Sequence, residues 1–280
     1  MRSNLNPFKI LFLSLIVSFT FSQNKIKIVE YRQIPKELEA LRLTPNRINW
    51  SLGNSFLLLD SFNSELLLFK NSGEIKISGG VGRHHNVYGE LIWVGISPIG
   101  IQVVDRLENE IIVLDLNLNR MHNISLNHNL YPEIAQIDPW GRLFMSSSTF
   151  NGIYLFENGY VSNEPFIDFS REFYLNYCVK DFAISSDGEI AILGCDGIFN
   201  EFSQNGLKQN SIPVGIHNPQ FLVSLRDDWF VFNPNGECFS ISNFDKISMP
   251  KINSPILDIA TINRSIAILT KEQILVLNVK

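Results

Sequence analysis

The sequence predicts an all-β fold, a six-bladed β-propeller of four-stranded antiparallel blades, and three observations point to it. First, six segments share one design: a short apolar strand, a polar turn, a second apolar strand and, after a short gap, a third. Second, the first large apolar residues after the six turns, Phe56, Ile101, Leu143, Ile190, Trp229 and Ile266, lie 45, 42, 47, 39 and 37 residues apart. Third, five units carry a fourth, weaker strand while the sixth ends the chain at its third, and one strand near the N-terminus has no unit of its own. A period of about 40 to 45 residues with several short strands per unit is the pattern of a propeller, whose units bury their faces only by stacking on one another.

From the N-terminus, residues 1–22 read as a signal peptide. Arg2 and Lys9 precede an apolar run from Ile10 to Val17, and the small residues Thr20 and Ser22 are placed for cleavage before Gln23. A membrane anchor is the competing reading, but the run is much shorter than the roughly 20 residues of a spanning helix. No later segment is long and apolar enough to span, and no cysteine stands near the cleavage site to carry a lipid. The expected product is secreted or periplasmic, soluble and without a membrane span. Loss of Arg2 and Lys9 takes the formal charge from −5 to −7. Nucleic-acid binding needs a basic footprint, so that partner class is excluded. Residues 23–280 are expected to form one domain, and 45% hydrophobic residues supply ample core.

The next strand, IKIVEYRQI from Ile26 to Ile34, is the surplus one. Five blades follow at about 48–80, 91–127, 132–170, 178–214 and 218–251, and the sixth at 255–280. Their turns sit in SLGNSFLLLD, ISPIGIQVVD, IDPWGRLFMS, ISSDGEIAIL, SLRDDWFVF and TINRSIAIL, with third strands starting at Leu66, Ile111, Ile153, Ile198, Cys238 and Ile274. Fourth strands begin at Glu74, Met121, Pro165, Leu207 and Lys246. A last blade ending at its third strand leaves an open edge that invites foreign strands. Residues 25–34 are therefore expected to complete blade 6 and close the ring; a loose N-terminal arm is the alternative.

Residues 79–120, GGVGRHHNVYGELIWVGISPIGIQVVDRLENEIIVLDLNLNR, resemble an NHL repeat: a glycine pair, a spaced glycine, an apolar strand, a Pro and Gly turn, then strand, Asp and strand. The third unit, IDPWGRLFMSSSTFNGIYLFENG, resembles the same pattern, and units 4 to 6 keep the spacing while losing most markers. Gly100, Gly141 and Gly188 fall where turns need positive φ, which glycine adopts cheaply. Asp105 ends a strand where its carboxylate can cap loop amides. The resemblance implies a closed propeller used mostly as a binding platform, with some six-bladed relatives acting as lyases or lactone hydrolases.

In a propeller the connectors between blades emerge on the same face as the loops joining second and third strands, and function sits there, round the mouth of the central channel. His84, His85, His128 and His217, with Tyr88, Tyr131, Tyr174 and Tyr177, all fall in those connectors, which makes them binding-face candidates. Imidazole is a common metal ligand, but these separations match no compact metal motif, and solvated loop residues are the plainer explanation. Asn49, Glu133, Asp181, Gln220 and Asp258 lie near inner strands and could line the channel. Six-bladed hydrolases of this shape hold calcium with such oxygen ligands; polar residues capping strand ends are the plainer reading.

Cys178 and Cys195 flank one hairpin. A turn of two or four residues sets them opposite each other for a disulfide, whereas a three-residue turn with a bulge slips the register by one. Cys238 reads as a buried apolar residue of blade 5. No GxSxG elbow, HExxH pair or phosphate-cradling glycine loop occurs. The expected function is a monomeric, non-enzymatic binding or scaffold module for a protein, peptide or glycan, with no cofactor; the alternative is a calcium-dependent hydrolase or lyase at the channel mouth.

Overall fold

The computed structural model describes residues 26–79, 87–174 and 176–279. The leader, His84 and His85 lie outside the described residues.

Blade 1 is β2 (Arg47–Ser51), β3 (Ser55–Asp60), β4 (Glu65–Phe69) and β5 (Ile75–Gly79); blade 2 is β6 (Leu91–Ser97), β7 (Gly100–Asp105), β8 (Glu110–Leu114) and β9 (Arg120–Ser125). Blade 3 is β10 (Ile134–Ile137), β11 (Leu143–Ser147) and β12 (Gly152–Glu157), with its outer position split between β13 (Tyr160–Val161) and β14 (Ile167–Asp168). Blade 4 is β15 (Val179–Ile184), β16 (Ile190–Gly194), β17 (Ile198–Phe202) and β18 (Lys208–Pro213); blade 5 is β19 (Phe221–Leu225), β20 (Asp228–Phe232), β21 (Cys238–Ser240) and β22 (Asp245–Ile247). Blade 6 is β23 (Ile256–Ile262), β24 (Ser265–Thr270) and β25 (Gln273–Val279), completed by β1 (Ile26–Gln33). The chain is a six-bladed β-propeller closed by its N-terminal strand.

One expected strand differs. In blade 3 the outer strand from Pro165 is broken rather than continuous: Ser162 N–H and Phe166 N–H reach Leu155 and Ile153 carbonyls, and residues 163–165 loop out between them. Proline has no N–H to give the ladder.

The sequence shows unbroken apolar runs rather than alternation because each blade is covered on both sheet faces. β3 and β4 are buried along their whole length, whereas the outer strand β9 is almost wholly exposed. The core is accordingly a ring of wedges, one between each pair of neighbouring blades. The wedge closing the ring joins Trp50, Phe56 and Phe69 of blade 1 to Ala267, Leu269 and Val276 of blade 6, under Leu38 and Leu43 of the connector that carries the short helix α1 (Lys36–Ala40).

At this seam β1 runs antiparallel to β25 from Ile26 opposite Val279 to Gln33 opposite Gln273, with one irregularity between Ile28 and Glu30. Arg32 adds a second tie. Its buried guanidinium donates to the Asn54 carbonyl at 3.1 Å and Asn71 Oδ1 at 3.1 Å, pairs with Glu30, and lies 4.7 Å over the Phe56 ring.

The turn glycines behave as read: Gly141 and Gly188 have φ of 85° and 78°. They do more than turn. A Cβ on Gly188 would stand 2.2 Å from the Trp140 ring, and one on Gly141 2.7 Å from Pro98, so each turn is a notch for the preceding blade's turn. Asp105 is fully buried and accepts from the N–H groups of Gly89, Glu90 and Glu108.

Cys178 and Cys195 form a disulfide with Cα atoms 5.4 Å apart. Neither expected register describes the whole hairpin. Near the turn the slipped pairing holds, from Ile184 opposite Ile190 to Asp181 opposite Leu193; a bulge at position 180 then restores Val179 opposite Gly194 and so brings the cysteines level. Cys238 is buried, and burial pushes its thiol well above the ordinary range.

Candidate functional site

The six inner strands surround a central channel of about 230 Å³. Asn49, Glu133, Asp181 and Asp258 line it, and Gln220 stands just before β19, outside that lining. Three of these side chains bond across a blade boundary. Asn49 Nδ2 donates to the Val94 carbonyl of blade 2 at 3.0 Å. Asp258 Oδ2 accepts from Ile48 N–H of blade 1 at 2.8 Å, and Asp181 Oδ2 from Leu222 N–H of blade 5 at 2.8 Å. β15 and β23 each carry a bulge immediately before the aspartate. A bulge re-aims the side chains beside it, here toward the neighbouring blade.

The two carboxylates are recessed among the inner strands. Burial, reinforced by the charge of Asp258, pushes Asp181 up to about 7 against the opposing Leu222 N–H and Arg47. Asp258 is raised as well, by burial, with Arg47 opposing. Arg47 Nη1 lies 3.7 Å from Asp258 Oδ1, and the arginine side chain is 48% exposed, so the pair is loose.

Calcium takes about six to eight oxygen ligands. Asp181 and Asp258 each commit one oxygen to a neighbouring blade's N–H, and among the described residues no three His, Cys, Asp or Glu side chains are grouped to hold a metal. This donor set does not fit the ion.

The eight connector candidates separate. His84 and His85 lie outside the described residues. Tyr88 and Tyr177 are buried, which removes them from the face. Both fill glycine notches: a Cβ on Gly79 would stand 2.7 Å from the Tyr88 ring, and one on Gly194 2.2 Å from the Tyr177 hydroxyl. Tyr88 hydrogen bonds Ser78 Oγ at 2.9 Å, Tyr177 accepts from Asn200 Nδ2 at 3.1 Å, and burial raises both phenols.

The remaining four are spread over three connectors. Tyr131 is exposed beneath the Arg106 guanidinium, which lies 4.7 Å from its ring and pairs with Glu90. Tyr174 is exposed and meets Tyr177 edge-on at 5.4 Å. His128 Nε2 bonds Asn163 Oδ1 at 3.0 Å. His217 borders a separate cleft with Asn233 and Glu237 in blade 5.

Sequence reading missed a set on the same face. The loops joining second and third strands hold out Phe62 in blade 1, Leu107 in blade 2 and Phe150 in blade 3, at 84%, 64% and 46% exposure. The matching loops of blades 4 to 6 carry Asp196, Asn235 and Glu272 instead. The signal was present in the sequence: a large apolar residue two or three places after Asp60, Asp105 and Ser147, the residues that end the second strands.

No family model matches the chain, and no curated protein matches it in sequence. In structure it is similar to virginiamycin B lyase from Staphylococcus aureus, with TM-score 0.58 and 11% identity over 91% of this chain and 99% of that one. It is also similar to a luciferin-regenerating enzyme, with TM-score 0.61 and 12% identity over 92% of this chain and 97% of that one. YCF48 bound to D1 peptide matches with TM-score 0.57 and 11% identity over 84% of this chain and 78% of that one. These likenesses show the fold. Among the described residues no helix is long and apolar enough to cross a membrane.

Proposed function

We propose that this chain is an exported, NHL-like propeller that works as a monomeric, non-enzymatic module, holding a protein or peptide on its connector face. One observation carries the reading: Phe62, Leu107 and Phe150 stand in solvent on that face, while Asn49, Asp181 and Asp258 of the channel are engaged in blade-to-blade bonds. Exposed apolar side chains on the matching loops of three successive blades are a mark of an interaction site.

Panning random short peptides over residues 23–280 tests it. Enriched peptides should lose affinity for a variant with Phe62, Leu107 and Phe150 all changed to Ser; equal binding to that variant would refute the assignment. Calorimetric titration with calcium, then EDTA, tests the alternative hydrolase or lyase. Stoichiometric binding with a large rise in Tm would move the function to the channel.

A further inference from the structure

Resting on the connector-face reading, we propose that the channel mouth receives a single cationic side chain, lysine or arginine, presented by a peptide whose neighbouring residues are apolar and sit on Phe62, Leu107 and Phe150.

Size comes first. The channel holds about 230 Å³, below the roughly 300–1,000 Å³ of pockets that enclose drug-sized ligands. It has room for one long side chain delivered from outside. Position comes next. Asp181 and Asp258 occupy the third places of β15 and β23, and Glu133 directly precedes β10. Inner strands start at the connector face, so all three acids stand at the end of the channel that opens beside the apolar loops.

Charge decides the chemistry. Glu133, Asp181 and Asp258 share the lining with one cation, Arg47. Both oxygens of Asp181 accept backbone N–H groups, from Phe182 and Leu222, which satisfies hydrogen bonding without neutralising the charge. Arg47 leans to Asp258 at 3.7 Å. Arg47 also opposes the rise at Asp181, but burial and the charge of Asp258 outweigh it, so one loosely placed guanidinium leaves the recessed carboxylate undercompensated. An incoming ammonium or guanidinium group completes the compensation, and its aliphatic stem can lie along the apolar strands.

The test uses residues 23–280 and capped short peptides with a fixed central Lys, Arg, Met or Glu between randomised flanks. The Lys and Arg pools should be enriched, with apolar flanks, and the Met and Glu pools should not. The Asp181→Asn, Asp258→Asn protein keeps acceptors for the Leu222 and Ile48 N–H groups, and selected peptides should bind it at least about tenfold more weakly. If that protein fails to fold, the unaltered one answers instead: affinity should fall with added salt and rise as pH passes upward through about 7, with Asp258 and Arg47 as the other charges acting on Asp181. Equal enrichment of the Met pool overturns the cation while leaving the connector face standing. Peptides indifferent to the Phe62, Leu107 and Phe150 changes overturn the face itself, and no enrichment in any pool overturns both.

Discussion

The seam between blades 6 and 1 and the hairpin of blade 4 are two closures of opposite kinds. At the seam, two chain ends 240 residues apart in sequence at Gln33 and Gln273 are held by a strand ladder, one apolar wedge and the Arg32 contacts. In blade 4 a disulfide spans a separation of only 17 residues, beside a hydrogen bond from Cys195 N–H to the Cys178 carbonyl. Loop-closure entropy grows with the length closed. The long closure therefore depends on many weak contacts acting together, and the short one has a covalent bond over pairing that is already local. Failure at the seam should open the whole ring; failure in blade 4 should stay in blade 4.

Deleting residues 24–34 is the strongest way to break this contrast. It strips β1 from β25, exposes Ile274 to Val279 as an unpaired edge, and removes Arg32 from the Phe56 and Phe69 rings. Cooperative unfolding should be lost and the protein should aggregate, read by calorimetry and light scattering. A truncated protein that melts like the parent would sink the closure account. Arg32→Met is the milder version: it keeps the strand and removes the bonds to Asn54 and Asn71. We expect a loss of about 1.5–3 kcal/mol in urea unfolding, the range for hydrogen bonds to a charged group, with the transition still cooperative.

Cys178→Ser with Cys195→Ser addresses the other closure. A cross-link over about 15 residues is worth roughly 3 kcal/mol in the chain-entropy model, and the surviving Cys195 to Cys178 backbone bond and the packed Tyr177 retain part of the order. The expected loss is about 2 kcal/mol. Hydrogen exchange should quicken in residues 176–197 and not along β1 or β25. Quickened exchange at the seam would erase the distinction between the two regions.

The same contrast governs how much was legible in the sequence. The blade count, the strand order and the seam followed from the spacing of Phe56, Ile101, Leu143, Ile190, Trp229 and Ile266 and from one missing strand, because a repeat reports its period wherever it is buried. The disulfide partners were legible but their register was not, since a bulge at position 180 is a backbone choice with no residue signature. Among the channel candidates, Asn49, Glu133, Asp181 and Asp258 line the cavity and Gln220 stands outside it. Sequence could not tell Tyr88 and Tyr177, which fill notches above Gly79 and Gly194, from Tyr131 and Tyr174, which stay outside. All four are tyrosines in connectors; what separates them is a glycine brought near by the fold.

The smallest expected effect concerns the one inner-strand carboxylate that binds blade 4 to blade 5. Asp181 rises from an ordinary 3.8 to about 7, through burial first and the charge of Asp258 second. The folded state thus holds this proton more tightly than the unfolded chain does. The contribution to stability is complete below the unfolded value and shrinks as pH climbs through the folded one, so the native side chain is a liability at alkaline pH. Asp181→Asn keeps the acceptor for Leu222 N–H and discards the charge. A tenfold difference in proton affinity between the folded and unfolded chain is worth about 1.4 kcal/mol, and water in the channel screens part of the effect. The variant should therefore gain about 1–2 kcal/mol near pH 8 and little near pH 4, measured by urea unfolding at both values. Equal effects at the two pH values would show that Asp181 acts only as a hydrogen-bond acceptor between the blades, and that its charge is already compensated in the free protein.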